Sequence, residues 1–304
     1  MQYRHQRRII PSPSKKLANV LIYVPLIIMS IIFIYPLYQV LVVSVSDPRI
    51  VMQNNAIMLI PKGFQLEAYK IVLGNRNISI GFQNTLYYMV LGTAFQYLIT
   101  ILSAFLLSKP KVMFKKAIVF YFVFTMYFSG GLIPYFLLIN NLGLMNSRLV
   151  LIIPFGVNVW NIIIMRTQFK NFPWSLSEAA YIDGASDFWI LFKIYVPLSG
   201  AVTAVLVLFS AVTYWNMWFE PMMFLTERSK YPLQSMLREI LIDSENVIVG
   251  AGRTQVKVDV SRSYYFEILV KYANIIISTV PILVVYPFMQ KYFVKGVMIG
   301  SLKE

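Results

Sequence analysis

Cysteine is absent from the 304 residues, and histidine occurs once, as His5. The first absence excludes disulfides, thiolate metal centres and cysteine nucleophiles. The second removes the usual general base and the commonest metal ligand, so neither a metal site nor a catalytic residue is expected. Charge is scarce too: 13% of residues are charged and 58% hydrophobic, with a mean hydropathy of +0.65. A soluble domain carries roughly a quarter charged residues, because its surface needs ionised groups to stay in water. Acids are outnumbered, 13 Asp and Glu against 27 Lys and Arg, for a net charge of +14. In a soluble protein that excess would suggest nucleic acid. Here it suits basic loops that set orientation in a membrane, and no nucleic acid partner is expected. The composition is that of an all-α polytopic membrane protein in a lipid bilayer.

Six stretches are long enough to cross a hydrocarbon core, which takes about 20 apolar residues in a helix. They run Leu17–Val45, Gly81–Ser108, Ala117–Ile139, Leu149–Met165, Ile194–Leu225 and Lys271–Tyr292. The first is far longer than a signal-peptide core, and no A-x-A site follows it, so it reads as a retained helix. The expected organisation is a basic tail over 1–16, a six-helix transmembrane domain over 17–292 and a second tail over 293–304. The apolar centres of the spans hold no Asp, Glu, Lys, Arg or His. Ionisable groups at membrane depth usually mark proton relays or catalytic sites. Their lack argues against a proton-coupled transporter and an intramembrane hydrolase, although a sodium site built from carbonyls and hydroxyls remains open.

The basic segments fix an expected orientation. The N-terminal tail, the loop KPKVMFKK over 109–116 and the C-terminal Lys291, Lys295 and Lys303 fall on one side of six spans. The positive-inside rule makes that side, with both termini, cytoplasmic. The segment between spans four and five, 170–193, is then cytoplasmic as well, and a polar loop over 226–265 is outside.

That cytoplasmic segment includes SLSEAAYIDGASDFWILFKIYVPL, residues 175–198. Ser175 followed by Glu178 matches a capping box, predicting a helix from about Leu176 to Asp183. Gly184 suits the positive φ that commonly closes a helix, and a second helix can start at Ser186 or Asp187. The predicted shape is helix, bend, helix, which a solvated surface hairpin would also satisfy. The spacing is more particular: Glu178-Ala179-Ala180, three residues, Gly184, nine residues, then Ile194-Tyr195-Val196-Pro197.

This pattern resembles the EAA loop of binding-protein-dependent ABC importer permeases, EAA, three residues, G, nine residues, I-x-L-P, with Val196 in place of leucine. NTLYYMVLGT at 84–93, YWNMWF at 214–219 and the tail KYFVKGVMIGSLKE also look like the carbohydrate-uptake group. The maltose-type second permease and Gram-positive oligosaccharide permeases are the nearer kinds. The resemblance implies a six-span permease of a bacterial cytoplasmic membrane, moving an oligosaccharide or related sugar. It implies a heterodimer with a second, different permease, two ATPase subunits and an extracytoplasmic solute-binding protein. No cofactor is expected on this chain; ATP and Mg would sit on the ATPase subunits, and no Walker A pattern occurs here. The EAA segment would be a cytoplasmic coupling helix. There Glu178 would meet a basic ATPase side chain, Ala179 and Ala180 would allow close docking, and Gly184 would form the bend that transmits motion to span five, with Asp183 also among the coupling residues. The competing class is an ion-coupled secondary sugar transporter that needs no ATPase.

Three further sets of residues carry expectations. Tyr214, Trp215 and Asn216 could line the sugar path, aromatic faces stacking on pyranose rings, or belong to an interfacial aromatic belt. Gly250, Ala251 and Gly252 would form the tip of the outer loop that the resemblance directs towards the binding protein; a solvated loop is the plainer reading. Gly300, Ser301 and Lys303 resemble a tail that enters the ATPase interface in some relatives.

Overall fold

A computed structural model describes residues 13–53, 58–239 and 269–284, and all regular structure among them is helical. Met1–Ile71 with Lys257–Ile276 form one unit, and Val72–Val256 with Ile277–Glu304 form another.

In the first unit, α1 (Pro13–Ser44) is a 32-residue helix with Pro25 and Pro36 inside it. Residues 19–38 of it are exposed, whereas Val42, Val43 and Ser44 at its end are buried. The chain turns at its end into α2 (Pro48–Gln53). The Asp47 N–H donates to the Lys62 carbonyl at 2.8 Å, and the Gln65 N–H donates to the Val45 carbonyl at 2.9 Å. The Ser44 and Tyr69 hydroxyls meet at 2.7 Å, pinning the start of α3 (Glu67–Gly74) to the end of α1.

The second unit is organised around α4 (Arg76–Ser108), 33 residues capped by Asn75, whose side chain accepts the Asn77 N–H at 2.9 Å. The third and fourth spans expected from the sequence are not straight rods. Ala117–Ile139 becomes α5 (Lys115–Tyr127) and α6 (Leu132–Asn141), bent by 115°. The break contains Gly130 and Gly131, poor helix formers, and Gly131 adopts φ +87°. Leu149–Met165 becomes a 3₁₀ turn over Arg148–Leu151, an irregular stretch through Pro154 and Gly156, and then α7 (Val159–Lys170), capped by Asn158. Pro154 has no N–H to donate, so the helix restarts beyond it.

Beyond α7 come α8 (Ser175–Ile182), α9 (Asp187–Ile190), α10 (Val196–Leu198) and α11 (Gly200–Trp215). The fifth expected span, Ile194–Leu225, is thus divided: Asp187–Leu198 and Gly200–Trp215 meet at 89°. It ends at Trp215, and α12 (Phe219–Phe224), a short α13 (233–239) and α14 (Leu269–Val284) follow. Among the described residues two helices are apolar and long enough to cross a membrane, and two bent pairs pass the same test.

Helix α4 packs chiefly against α7 and α11, and its burial comes in three storeys. Near its start, Tyr88 joins Ile139, Val150, Leu151, Tyr214 and Phe224 in one apolar core. Near its end, Ile101, Ala104 and Phe105 join Met165, Phe169, Ile190, Tyr195 and Leu206 in another, about 26 Å away at 1.5 Å per residue. Between them lies a polar layer. Gln96 Nε2 donates to the Phe155 carbonyl at 2.7 Å, in the irregular stretch before α7. Gln96 Oε1 accepts from Asn161 Nδ2 at 3.4 Å and from the Ser210 hydroxyl. Non-helical backbone at membrane depth requires such partners, and one glutamine supplies them to two neighbouring helices.

Candidate coupling site

The segment 171–198 folds as the predicted hairpin, with one difference at its start. Trp174 occupies the N-cap position in a helical conformation, without a side-chain cap. The Leu176 and Ser177 N–H groups donate to the Pro173 and Trp174 carbonyls at 3.2 and 2.9 Å. The turn therefore begins at Pro173, Ser175 is already inside the helix, and the capping box of Ser175 and Glu178 does not form. The far end is as expected. Gly184 takes φ +80°, its N–H donates to the Tyr181 carbonyl at 3.0 Å, and the Ala185 N–H reaches the Ala180 carbonyl at 2.9 Å. These paired bonds are the Schellman closure that a left-handed residue makes possible. Ser186 then caps α9, its hydroxyl accepting the Trp189 N–H at 3.3 Å.

One face of α8 is fixed and the other free. Ser177 and Ala180 are buried, and the Ser177 hydroxyl meets the Tyr195 hydroxyl at 2.8 Å. Around Tyr195, the rings of Phe105, Phe169 and Phe172 stand edge to face at 5.1–5.4 Å, an arrangement favoured by ring quadrupoles. On the free face Glu178, Ala179, Ile182 and Asp183 are exposed. Among the described residues the Glu178 carboxylate makes no ion pair or side-chain hydrogen bond. Ile182 is 86% exposed, and Phe188 and Trp189 are at least half exposed. Leu176, Ala179, Asp183, Gly184 and Trp189 help line an open groove of about 780 Å³. An uncovered apolar surface rimmed by polar groups marks a contact site.

The hairpin joins α11 through an irregular passage. Over Leu191–Tyr195 the helix widens to a π turn, the Val196 N–H reaching back to the Leu191 carbonyl. Such a turn accommodates Pro197, which lacks an N–H of its own. The right-angle bend follows at Ser199.

At the other end of α4, polar side chains hold the segment after α12. Asn84 Nδ2 donates to the Ser229 and Tyr231 carbonyls at 2.8 and 3.0 Å, and the Tyr88 hydroxyl donates to the Lys230 carbonyl at 2.8 Å. The Thr85 hydroxyl accepts the Leu233 N–H at 2.8 Å. Asn146, at φ +54°, receives the Thr226 and Glu227 N–H groups on its side-chain oxygen. Glu227 accepts from Lys230 at 2.9 Å and from Asn146 at 2.7 Å, and these bonds lower its pKa. The sequence marked the 84–93 run only as a resemblance; its Asn, Thr and Tyr turn out to be the anchors of this loop.

The residues expected along a sugar path separate. Tyr214 and Trp215 are buried, 1% and 4% exposed, and the Trp215 indole N–H donates to the Ser278 carbonyl at 3.0 Å. Asn216 is exposed and bonds the Val212 carbonyl at 3.0 Å. Gly250, Ala251, Gly252, Gly300, Ser301 and Lys303 lie outside the described residues.

No protein-family model matches the chain. Curated proteins do. The polygalacturonan/rhamnogalacturonan transport system permease protein YtcP of Bacillus subtilis (strain 168) is 38% identical over 95% of this chain and 99% of its own length. The chain belongs to the permeases of ABC sugar transport systems. Protein LplC of the same bacterium is 36% identical, with 82% of this chain and 83% of that protein covered. A chain in the crystal structure of a bacterial ABC transporter involved in the import of the acidic polysaccharide alginate superposes with a TM-score of 0.82. It is 32% identical, and the match covers 93% of this permease and 99% of that chain. Membership makes this an ABC permease with apolar, membrane-type helices, and the EAA resemblance found in the sequence stands with it.

Proposed function

We propose that this permease pairs with a second, different permease to form a translocation path for an oligosaccharide carrying carboxylates. Two separate ATPase subunits lie on the cytoplasmic side, and an extracytoplasmic solute-binding protein delivers the sugar. ATP with its Mg²⁺ is bound and hydrolysed on the ATPase subunits, not on this chain. The observation that carries the reading is the hairpin of 171–198, whose motif spacing coincides with an exposed groove and a free carboxylate at Glu178. A basic ATPase side chain would meet Glu178 in a charge-assisted bond, while the exposed Ala179 leaves room for close approach.

Six crossings with both termini cytoplasmic agree with α5–α6 and α9–α11 each serving as one bent crossing. The bare apolar length of α1 suits lipid and the second permease. Asn216 is the candidate for the sugar path; Gly250–Gly252 for the binding protein; and Gly300, Ser301 and Lys303 for the ATPase interface. An acidic cargo is supported by the relatives named for polygalacturonan/rhamnogalacturonan and for alginate. It is also supported by Arg238, whose guanidinium lies 3.8 Å from the centre of the exposed Trp218 ring. A guanidinium held on an aromatic face can bind a uronate while the ring stacks on the sugar.

The test is reconstitution with the second permease, the ATPase and the binding protein in proteoliposomes. Oligogalacturonate should be taken up only with ATP and should stimulate ATP hydrolysis several-fold, whereas a neutral maltooligosaccharide of equal length should not. Equal stimulation by the neutral sugar would remove the acidic preference. Uptake by this chain alone, driven by an ion gradient without ATP, would replace the whole reading with that of a secondary transporter.

A further inference from the structure

We propose that Lys109, Tyr181 and Asp187 form a latch that fastens the coupling hairpin to the end of α4, so that α4 moves with the hairpin during transport. The inference rests on the hairpin being the surface where the ATPase docks.

The chemistry begins with two helix ends. Lys109 caps the C-terminus of α4, where unpaired carbonyls favour a cation; Asp187 is the first residue of α9, where free N–H groups favour an anion. Each charge suits its own helix, and the fold brings them together: Lys109 Nζ lies 2.5 Å from Asp187 Oδ2. The other carboxylate oxygen is occupied as well, since the Tyr181 hydroxyl donates to Asp187 Oδ1 at 2.6 Å. One carboxylate therefore joins three pieces of chain: α8, α9 and the end of α4. The ammonium also lies 4.8 Å from the centre of the Phe105 ring and 6.0 Å from that of Tyr181, distances at which a ring face attracts a cation. Its side chain is only 19% exposed, against 53% for Asp187, so the lysine is the fixed half.

Among the described residues, Asp187 is the one acid bonded to this end of α4. Lys115 Nζ donates to the Lys109 carbonyl at 2.5 Å, and Arg166 Nε donates to the Leu107 carbonyl at 3.1 Å. Lys170 stands close enough to Lys115 for like-charge repulsion. The last carbonyls of α4 are thus collared by cations, with one carboxylate, supplied by the hairpin, bound among them.

Position gives the latch its task. The hairpin leaves through a π turn and a right-angle bend at Ser199, a route broken twice before it reaches α11. Helix α4, in contrast, runs unbroken from the latch to Tyr88 and the polar anchors of the loop over 226–239. A displacement of the hairpin reaches the other end of the second unit most directly through α4.

The test compares Asp187→Asn, Lys109→Gln and Tyr181→Phe with the conservative Lys109→Arg and Asp187→Glu in the reconstituted complex. The readout is sugar imported per ATP hydrolysed, a ratio that a smaller amount of assembled complex leaves unchanged. Asp187→Asn and Lys109→Gln should lower it at least fivefold and Tyr181→Phe about twofold, and the double variant should be no worse than either single, because one interaction is shared. Lys109→Arg and Asp187→Glu should stay within about twofold of the parent. An unchanged ratio in Asp187→Asn overturns the latch, as does an equal loss in Lys109→Arg. If the parent complex fails to raise ATP hydrolysis when the loaded binding protein is added, the docking reading itself fails, an outcome distinct from normal coupling in the variants.

Discussion

Gly92 on α4 and Tyr214 on α11 are in direct contact, with no space for another carbon between them. A Cβ at Gly92 would lie 2.7 Å from Tyr214 Cε2 and closer still to Cε1 and Cζ. The two helices approach here only because one of them has no side chain, the device by which small residues tighten membrane helix packing.

Replacing Gly92 by alanine should therefore destabilise the fold by about 1–3 kcal/mol, the usual cost of overpacking a filled core. Thermal unfolding in detergent would register the loss, and Gly92→Ala combined with Tyr214→Val should recover part of it. No recovery would mean that the strain lies elsewhere.

The Tyr214 hydroxyl is buried with no hydrogen-bond partner among the described residues. A buried unsatisfied group is costly, so Tyr214→Phe should leave stability unchanged or raise it by about 1 kcal/mol. A marked loss of uptake in a stably folded Tyr214→Phe protein would instead place the hydroxyl on the sugar path.

Gly184 has open space where a side chain would go, and its requirement is purely conformational. Alanine there must enter the left-handed region at a cost of about 1–2 kcal/mol, and asparagine should cost less. Limited proteolysis of the 171–198 hairpin should accordingly rank glycine, asparagine, alanine from most to least protected.

Gln96 serves three partners at once. Gln96→Leu leaves the Phe155 carbonyl, Asn161 and Ser210 without it, and interhelical bonds in membranes are worth about 0.6 kcal/mol each and at most about 1.7. A loss of roughly 1–3 kcal/mol in thermal stability is expected, with Gln96→Glu intermediate at low pH.

Acidity should matter little to the hairpin over the ordinary range. The hydrogen bonds from Lys109 and Tyr181 hold the Asp187 pKa below 3.8. Burial pulls Lys109 down, but its bonds to Asp187 and Tyr181 outweigh that and raise it above 10.5. A lowered carboxylate stabilises fully above its unfolded value and loses this as pH falls through the folded one; a raised lysine does so below its unfolded value and loses it as pH rises. Nearby, burial and the charges of Lys170 and Arg166 pull the Lys115 pKa down. Hydrogen exchange in 175–190, corrected for intrinsic rate, should stay flat from roughly pH 5 to pH 9 and rise only in strong acid or base.

How much of this was legible before folding depends on distance along the chain. The first two apolar spans, the Gly184 turn and the start of α9 are written in residues a few places apart, and the structure repeats them. The EAA spacing belongs with these. The capping box at Ser175 is a local signal that lost to another local one, the turn opened by Pro173. The continuous third, fourth and fifth spans were read from hydropathy alone, which counts Gly130, Pro154 and Ser199 as tolerable when backbone geometry treats them as breaks.

The polar contacts were beyond reach for a different reason. Lys109 registered only as an orientation charge and Asp187 only as a helix start, because nothing near either residue names the other. Asn84 and Ser229, Gln96 and Ser210, and Gly92 and Tyr214 are likewise partners across long intervals of chain. By itself the sequence determined a charge-poor helical membrane protein, its EAA hairpin and its kinship with sugar permeases, since composition and short spacings are enough for those. Tertiary structure alone decided that Tyr214 and Trp215 face inward, that one glutamine mends the break before α7, and that α4 receives the hairpin. Those outcomes depend on which helices meet in space, a matter set by packing over the whole unit and not by any local pattern.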